Sequence, residues 1–232
     1  MPSFFDKLPI DAELPDGGPI YWETNLNEWI VEPYNALSAI PFIAIALYWL
    51  IKVRGQHSRF WFVSIASLFL LVGGVGGTVF HAFRTYPIFL MMDYMPIFLL
   101  TYAASIYFLF QILPKQWMVF VVLPLFLAIQ WMNYQLIENR AIAINISYVL
   151  LAAFVLIPTG VYLKRTIFRH GQYVVLALIS FLLAISFRYL DHFGLTPIGT
   201  HFLWHLFGAI TCHLMFYYMY WVTRLPAYVP PE

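Results

Sequence analysis

Charge is what this chain has least of. Of its 232 residues, 10% are Asp, Glu, Lys or Arg, while 62% are hydrophobic and 20% aromatic. A water-soluble domain carries about a quarter charged residues on its surface and in its loops, so a soluble globular fold is excluded. Cysteine is almost missing too. Cys212 is alone, which rules out an internal disulfide. A net charge of +1 leaves no basic excess for a polyanion, so nucleic acid is not an expected partner. The amino end, residues 1–33, has no charged segment followed by an apolar core and is expected to remain on the mature chain rather than be cleaved as a signal peptide. It is polar, acidic and rich in Pro and Gly instead.

What the chain has in quantity is long apolar sequence. Seven runs are long enough to span a bilayer: 34–53, 60–82, 87–113, 116–136, 141–163, 173–192 and 198–222. At about 1.5 Å per residue, each crosses a hydrocarbon core of about 30 Å. The expected fold is an all-α membrane protein, a seven-transmembrane-helix bundle whose short connections make sequential helices antiparallel neighbours. The expected organisation is an acidic extramembrane leader over 1–33, a transmembrane domain over 34–223 and a short tail over 224–232. Pro96, Pro124 and Pro158 fall inside runs, where neighbouring helices satisfy the freed carbonyls. The GGVGG run, Gly73 to Gly77, admits close approach of a ligand or of another helix backbone.

Orientation follows from the basic residues. Lys52, Arg54, Arg59, Lys115, Lys164, Arg165, Arg169 and Arg224 fall on one side, against Lys7, Arg84, Arg140 and Arg188 on the other. The positive-inside rule then places the amino terminus outside or in the lumen and the carboxyl terminus in the cytoplasm.

Polar groups at membrane depth are costly and mark function. His81 lies near the outer end of the second run and Asp93 about two turns into the third. His201 and His205, four apart, share one face of the seventh. Four such groups thus fall in one layer below the outer surface. Three imidazoles with a free fourth position is the arrangement of a catalytic zinc, which activates water and polarises carbonyl oxygens. Asp93 is the expected general base for that water, with a ligand or second-shell role as the alternative. Arg188 and Asp191 are expected to pair with each other. His192 is placed at the interface, and His57 and His170 in cytoplasmic loops. His213, about 12 Å deeper than His205, is expected to bridge helices by a hydrogen bond.

The combination of GGTVFHAFRTYPIFLMMD with HFLWH in the last run resembles the CREST superfamily of seven-helix membrane hydrolases, and within it the alkaline ceramidase branch. WETNLNEWIVEPYNALSAIPF in the leader and FRYLDHF in the sixth run are similar to that branch as well. The resemblance implies zinc held by His81, His201 and His205, with Asp93 beside the activated water. It implies an amidase that cuts ceramide, an N-acyl sphingoid lipid, into a fatty acid and a sphingoid base. It also implies a calcium ion supporting the zinc from the leader, with Glu23, Asn25 and Glu32 at the corresponding positions. Two departures stand out. Gly77 occupies the place of a family serine that holds the water or the developing oxyanion, and Thr78 beside it is the expected substitute. Ile20 stands where the family has Asp, leaving Asp16 or the backbone carbonyl of Tyr21 to complete the calcium set.

A retinal-binding receptor is excluded, because the last run has no lysine for a Schiff base. The rival readings are a zinc phospholipase that remodels lipid anchors, a ligand-sensing receptor of the same superfamily, and a transporter using the His and Asp groups as a proton relay. The reading carried forward is a monomeric, multi-pass integral membrane amidase with zinc, and calcium in the leader, acting on a ceramide-like membrane lipid.

Overall fold

The computed structural model describes residues 14–224. Lys7 and the tail beyond Arg224 lie outside the described residues. Seven α-helices run through them: α1 (Pro33–Lys52), α2 (Trp61–Phe83), α3 (Pro87–Ile112), α4 (Val119–Leu136), α5 (Arg140–Arg165), α6 (Gly171–Leu190) and α7 (His201–Val222). Single 3-10 turns, Gln116–Met118 and Asp191–Phe193, precede α4 and follow α6. The helices coincide with the seven apolar runs to within about three residues at each end. Five segments are both long and apolar enough to cross a membrane: α1, α2, α3, Gln116–Leu136 and Gly171–Phe193. This is the signature of a membrane protein. α5 and α7 match them in length, at 26 and 22 residues. In α7, His201, His205, His213 and three tyrosines lower the apolarity.

Packing divides the chain into two compact units. One contains α1, α2, the first part of α3, α6 and α7; the other contains the rest of α3, α4 and α5. In the second unit α4 packs on α5, with Phe126 stacked on Phe154 at 4.0 Å between centroids. Asn133 donates to the Ala143 carbonyl at 2.7 Å, and Ser147 donates to Gln130 at 3.0 Å. An amide N–H and a hydroxyl are thus paired between two apolar helices, as a low-dielectric setting favours.

The first unit carries every residue expected to hold a metal or act as the base. There α1 packs on both α2 and α7, and α7 on α6. The glycines of α2 explain how closely. A side chain at Gly74 would meet Ile43 Cγ1 at 2.8 Å, one at Gly73 would meet Pro96 at 3.3 Å, and one at Gly76 would overlap the Met92 backbone. GGVGG therefore serves helix packing, with Gly74 against α1 and Gly73 and Gly76 against α3.

Helix ends are tied by the leader. The backbone N–H groups of Val31 and Glu32 donate to Ala82 and His81 carbonyls at 2.9 and 3.1 Å, satisfying acceptors that the end of α2 leaves open. α1 begins with Pro33, whose fixed φ and missing N–H suit a first helical position. Its next two N–H groups, on Tyr34 and Asn35, donate to the Glu23 carboxylate at 2.5 and 2.9 Å. α7 is capped in the same way from a distance: Asp191 Oδ1 accepts from the N–H groups of Thr200 and His201 at 2.6 and 3.0 Å. In both cases a carboxylate meets the positive end of a helix dipole.

Two outcomes follow for measurement in detergent. Gly76→Ala is expected to destabilise the protein by about 1–3 kcal/mol through overpacking against Met92. Asp191→Ala is expected to cost about 1–2 kcal/mol through loss of the α7 cap. Both are read as a lowered thermal midpoint; an unchanged midpoint in either variant contradicts the corresponding contact.

Candidate metal centre

His81 on the last turn of α2 and His201 and His205 on the first turns of α7 converge. Their ring centroids lie 5.3, 4.8 and 4.8 Å apart, and one nitrogen from each falls within 4.8 Å of the others. All three residues are buried. Among the described residues this is the one group of three or more His, Cys, Asp or Glu side chains close enough to hold a metal ion.

The surroundings decide which nitrogens are available. His81 Nδ1 faces Glu32 Oε2 at 2.5 Å, so this nitrogen carries the proton and donates it to the carboxylate. His205 Nδ1 faces the Asn35 carbonyl at 3.0 Å and Ser38 Oγ at 2.9 Å. A carbonyl only accepts, so here too Nδ1 is protonated. The Nε2 lone pairs of His81 and His205 are thereby left for another partner, the pattern that orients histidine ligands at metal sites. His81 Nε2 and His201 Nδ1 are buried without any hydrogen-bond partner. Orphaned polar atoms of this kind cost about 1–3 kcal/mol each, and a cation at the centre of the triangle removes that cost. The residues therefore fit a metal ion.

Behind His81 the leader builds a buried charge relay. Glu32 is completely buried; its Oε1 accepts from Thr24 Oγ1 at 2.6 Å and from Arg84 Nη1, while its Oε2 accepts from His81. Arg84, also buried, donates from Nε to Asp16 at 2.6 Å and from Nη2 to the Pro19 carbonyl at 2.9 Å. Its backbone is left-handed, at φ 51°, as the cap of α2. Burial by itself raises a carboxyl pKa, but here the hydrogen bond and charge of His81, with Arg84 and Thr24, hold Glu32 below its ordinary value. Glu32 thus stays an anion and acceptor for His81.

Asp93 reaches the same layer from α3. A side chain at Gly77 would lie 2.6 Å from Asp93 Oδ1, so the carboxylate rests on the glycine. Gly77 is four residues before His81 and shares its face of α2. No hydrogen bond from the described residues engages the Asp93 carboxylate. A side chain at position 77 would have to displace the Asp93 carboxylate from this position. Thr78, the expected substitute, donates its hydroxyl hydrogen to the Gly74 carbonyl within its own helix at 2.7 Å.

Each of the four residues expected to hold calcium has a hydrogen-bond partner within the chain. Glu23 caps α1, Asn25 Oδ1 accepts from the Asn27 N–H at 3.1 Å, Glu32 serves His81 and Arg84, and the Tyr21 carbonyl accepts from the Thr24 N–H at 3.1 Å. Burial pushes the Glu23 carboxyl up to about 7, against the pull of its two backbone donors. Asp16, the other calcium candidate, binds Arg84. The expected Arg188 and Asp191 pair is corrected: Asp191 caps α7 and accepts from the Trp22 N–H at 2.9 Å, while the Arg188 guanidinium lies over the Trp204 ring at 5.2 Å. Backbone donors at a helix start compete better for a buried carboxylate than an exposed, solvated guanidinium. His213 accepts from Trp49 Nε1 at 3.2 Å, joining α1 to α7.

Sequence reasoning passed over Arg84, Asn35 and Ser38 as parts of the site. Arg84 counts in the sequence only as an outer basic residue, and its burial is a property of the fold.

Glu32→Gln keeps the shape of the side chain but removes the charge that anchors the His81 Nδ1 proton. Affinity for a divalent ion, measured by competition with a chelator, is expected to fall about 10–100-fold. Unchanged affinity would separate Glu32 from the metal centre.

Neither a scan against protein-family models nor a search of curated proteins finds a match to this chain.

Proposed function

We propose that the protein is a multi-pass membrane hydrolase that uses zinc to cleave the amide bond of a ceramide-like lipid. The single observation that carries this reading is the buried triangle of three histidines with orphaned nitrogens. Three neutral imidazoles suit zinc, and three protein ligands leave the open position of a catalytic rather than a structural site. Charge supports a divalent ion. Among the described residues the buried charged side chains are Asp16, Glu32, Asp191 and Arg84, three negative against one positive, and a divalent cation cancels that surplus. The remaining features are those of the sequence: seven crossings, the amino terminus outside and the carboxyl terminus in the cytoplasm. A centre set among membrane helices receives its substrate from the lipid.

When bound, zinc supplies Lewis acidity toward water and carbonyl oxygen. The protein's own groups do the rest. Asp93, unengaged and beside His81, takes the proton of the attacking water and returns it to the departing amine nitrogen. Glu32 and the Asn35 carbonyl keep His81 and His205 in the tautomer that points Nε2 inward. The products are a fatty acid and a sphingoid base.

Purified protein is expected to hold one zinc per chain, lost on His81→Ala, His201→Ala or His205→Ala. Stoichiometric zinc surviving in all three variants defeats the assignment, and a wild-type protein without firmly held metal favours a proton relay. Ceramide turnover in Asp93→Asn is expected to drop at least 100-fold with zinc retained. Release of fatty acid from a phospholipid ester but not from ceramide would move the reading to the phospholipase.

A further inference from the structure

The leader places one aromatic ring directly on the histidine cluster. The Tyr21 ring centroid lies 3.9 Å from that of His201, at 32° between planes, and 5.2 Å from that of His81. Arg84 Cζ sits 5.6 Å from the same ring. The backbone on either side is pinned: the Tyr21 N–H donates to Thr24 Oγ1 at 3.0 Å, and the Trp22 N–H donates to Asp191. The phenolic hydroxyl itself makes no hydrogen bond with the described residues. The ring that carries the hydroxyl is thus held against His201 and His81, which places an unused O–H at the histidine cluster.

The reaction proposed above needs a donor at the acyl oxygen, which gains negative charge as the carbonyl carbon is attacked. The face of α2 below His81 does not provide one. Gly77 has no side chain, and the Thr78 hydroxyl hydrogen is given to Gly74. Tyr21 is a held ring with an unused O–H at the same cluster, and a tyrosine hydroxyl keeps its proton at neutral pH.

We propose that Tyr21 is a catalytic residue that donates a hydrogen bond to the acyl oxygen of the bound lipid amide. The inference rests on the hydrolase reading. As the water oxygen bonds to the acyl carbon, the carbonyl electron pair moves to the acyl oxygen and is stabilised by the Tyr21 O–H, which keeps its proton. The water proton passes to Asp93. When the C–N bond breaks, the electron pair on oxygen re-forms the carbonyl, and the proton on Asp93 passes to the leaving nitrogen. The leader is then part of the reaction site as well as a cover over it.

The test is Tyr21→Phe in the full chain, loaded with zinc. Phenylalanine keeps the stacking on His201 and His81 and removes only the hydroxyl. kcat on ceramide is expected to fall about 100-fold, with KM and zinc content unchanged. Tyr21→Leu, which removes the ring as well, is expected to lose zinc affinity in addition. A second arm needs no turnover: a long-chain alkyl hydroxamate, whose carbonyl oxygen stands in for the acyl oxygen, is expected to bind Tyr21→Phe about 10–100-fold more weakly than wild type. Equal hydroxamate affinity and equal kcat overturn the donor role while leaving the hydrolase standing. Wild type that is inert toward ceramide, yet binds hydroxamate in a Tyr21-dependent way, overturns the amidase while leaving the donor. Failure of wild type to bind hydroxamate at all overturns both.

Discussion

One carboxylate organises the metal-centre half of this molecule. Glu32 sits fully buried between a guanidinium and an imidazole, with a threonine hydroxyl as a further donor. Taking such a charge out of water costs several kcal/mol, and only a complete set of donors offsets that cost. The set comes from the leader, from the end of α2 and from Asn35 of α1, so the carboxylate is satisfied only when all three meet. Removal of one member of a buried pair typically costs about 3–5 kcal/mol, because the other is left uncompensated. What the arrangement secures is therefore a geometry more than a surplus of stability: His81 held in one tautomer, with Nε2 facing His201 and His205.

The same device recurs around the site. Glu23 caps α1, and Asp191 caps α7 while holding the Trp22 N–H. Gly194 and Gly199, both at positive φ, leave room for the Trp22 ring between α6 and α7. Carboxylates at helix starts are favoured by the orphaned N–H groups and the helix dipole, and each caps its helix from another segment. α1 and α7 are consequently fixed at the ends that carry Asn35, Ser38, His201 and His205. A ligand set needs rigid elements and supported rotamers, and these caps supply both.

Gly77 shows how packing and chemistry share one position. As part of a small-residue face it lets α3 lie close to α2, and by lacking a side chain it lets Asp93 stand a helical turn from His81. A residue with a hydroxyl there would give the site a donor but push the carboxylate away. The chain keeps the carboxylate, and the leader brings Tyr21 to the cluster from the opposite sequence end.

Much of this was legible in one dimension. The length of each apolar run placed seven helices, because in a hydrocarbon setting a backbone can satisfy itself only as helix over about 20 residues. The spacing of His201 and His205 put two rings on one face, and the shared depth of His81 brought a third candidate to them, since register along a helix is a local property. The partners were not legible. His81 reaches Glu32 across 49 positions, Arg84 reaches Asp16 across 68, and Ser38 reaches His205 across 167. Nothing in the order of residues says that Arg84 is buried rather than at the surface, or that Asp191 meets a helix start rather than Arg188. By itself the sequence determined the helices, their apolarity and the candidate ligands. Tertiary structure alone decided which acid serves which base, because that choice depends on which donors remain unsatisfied once water has been excluded.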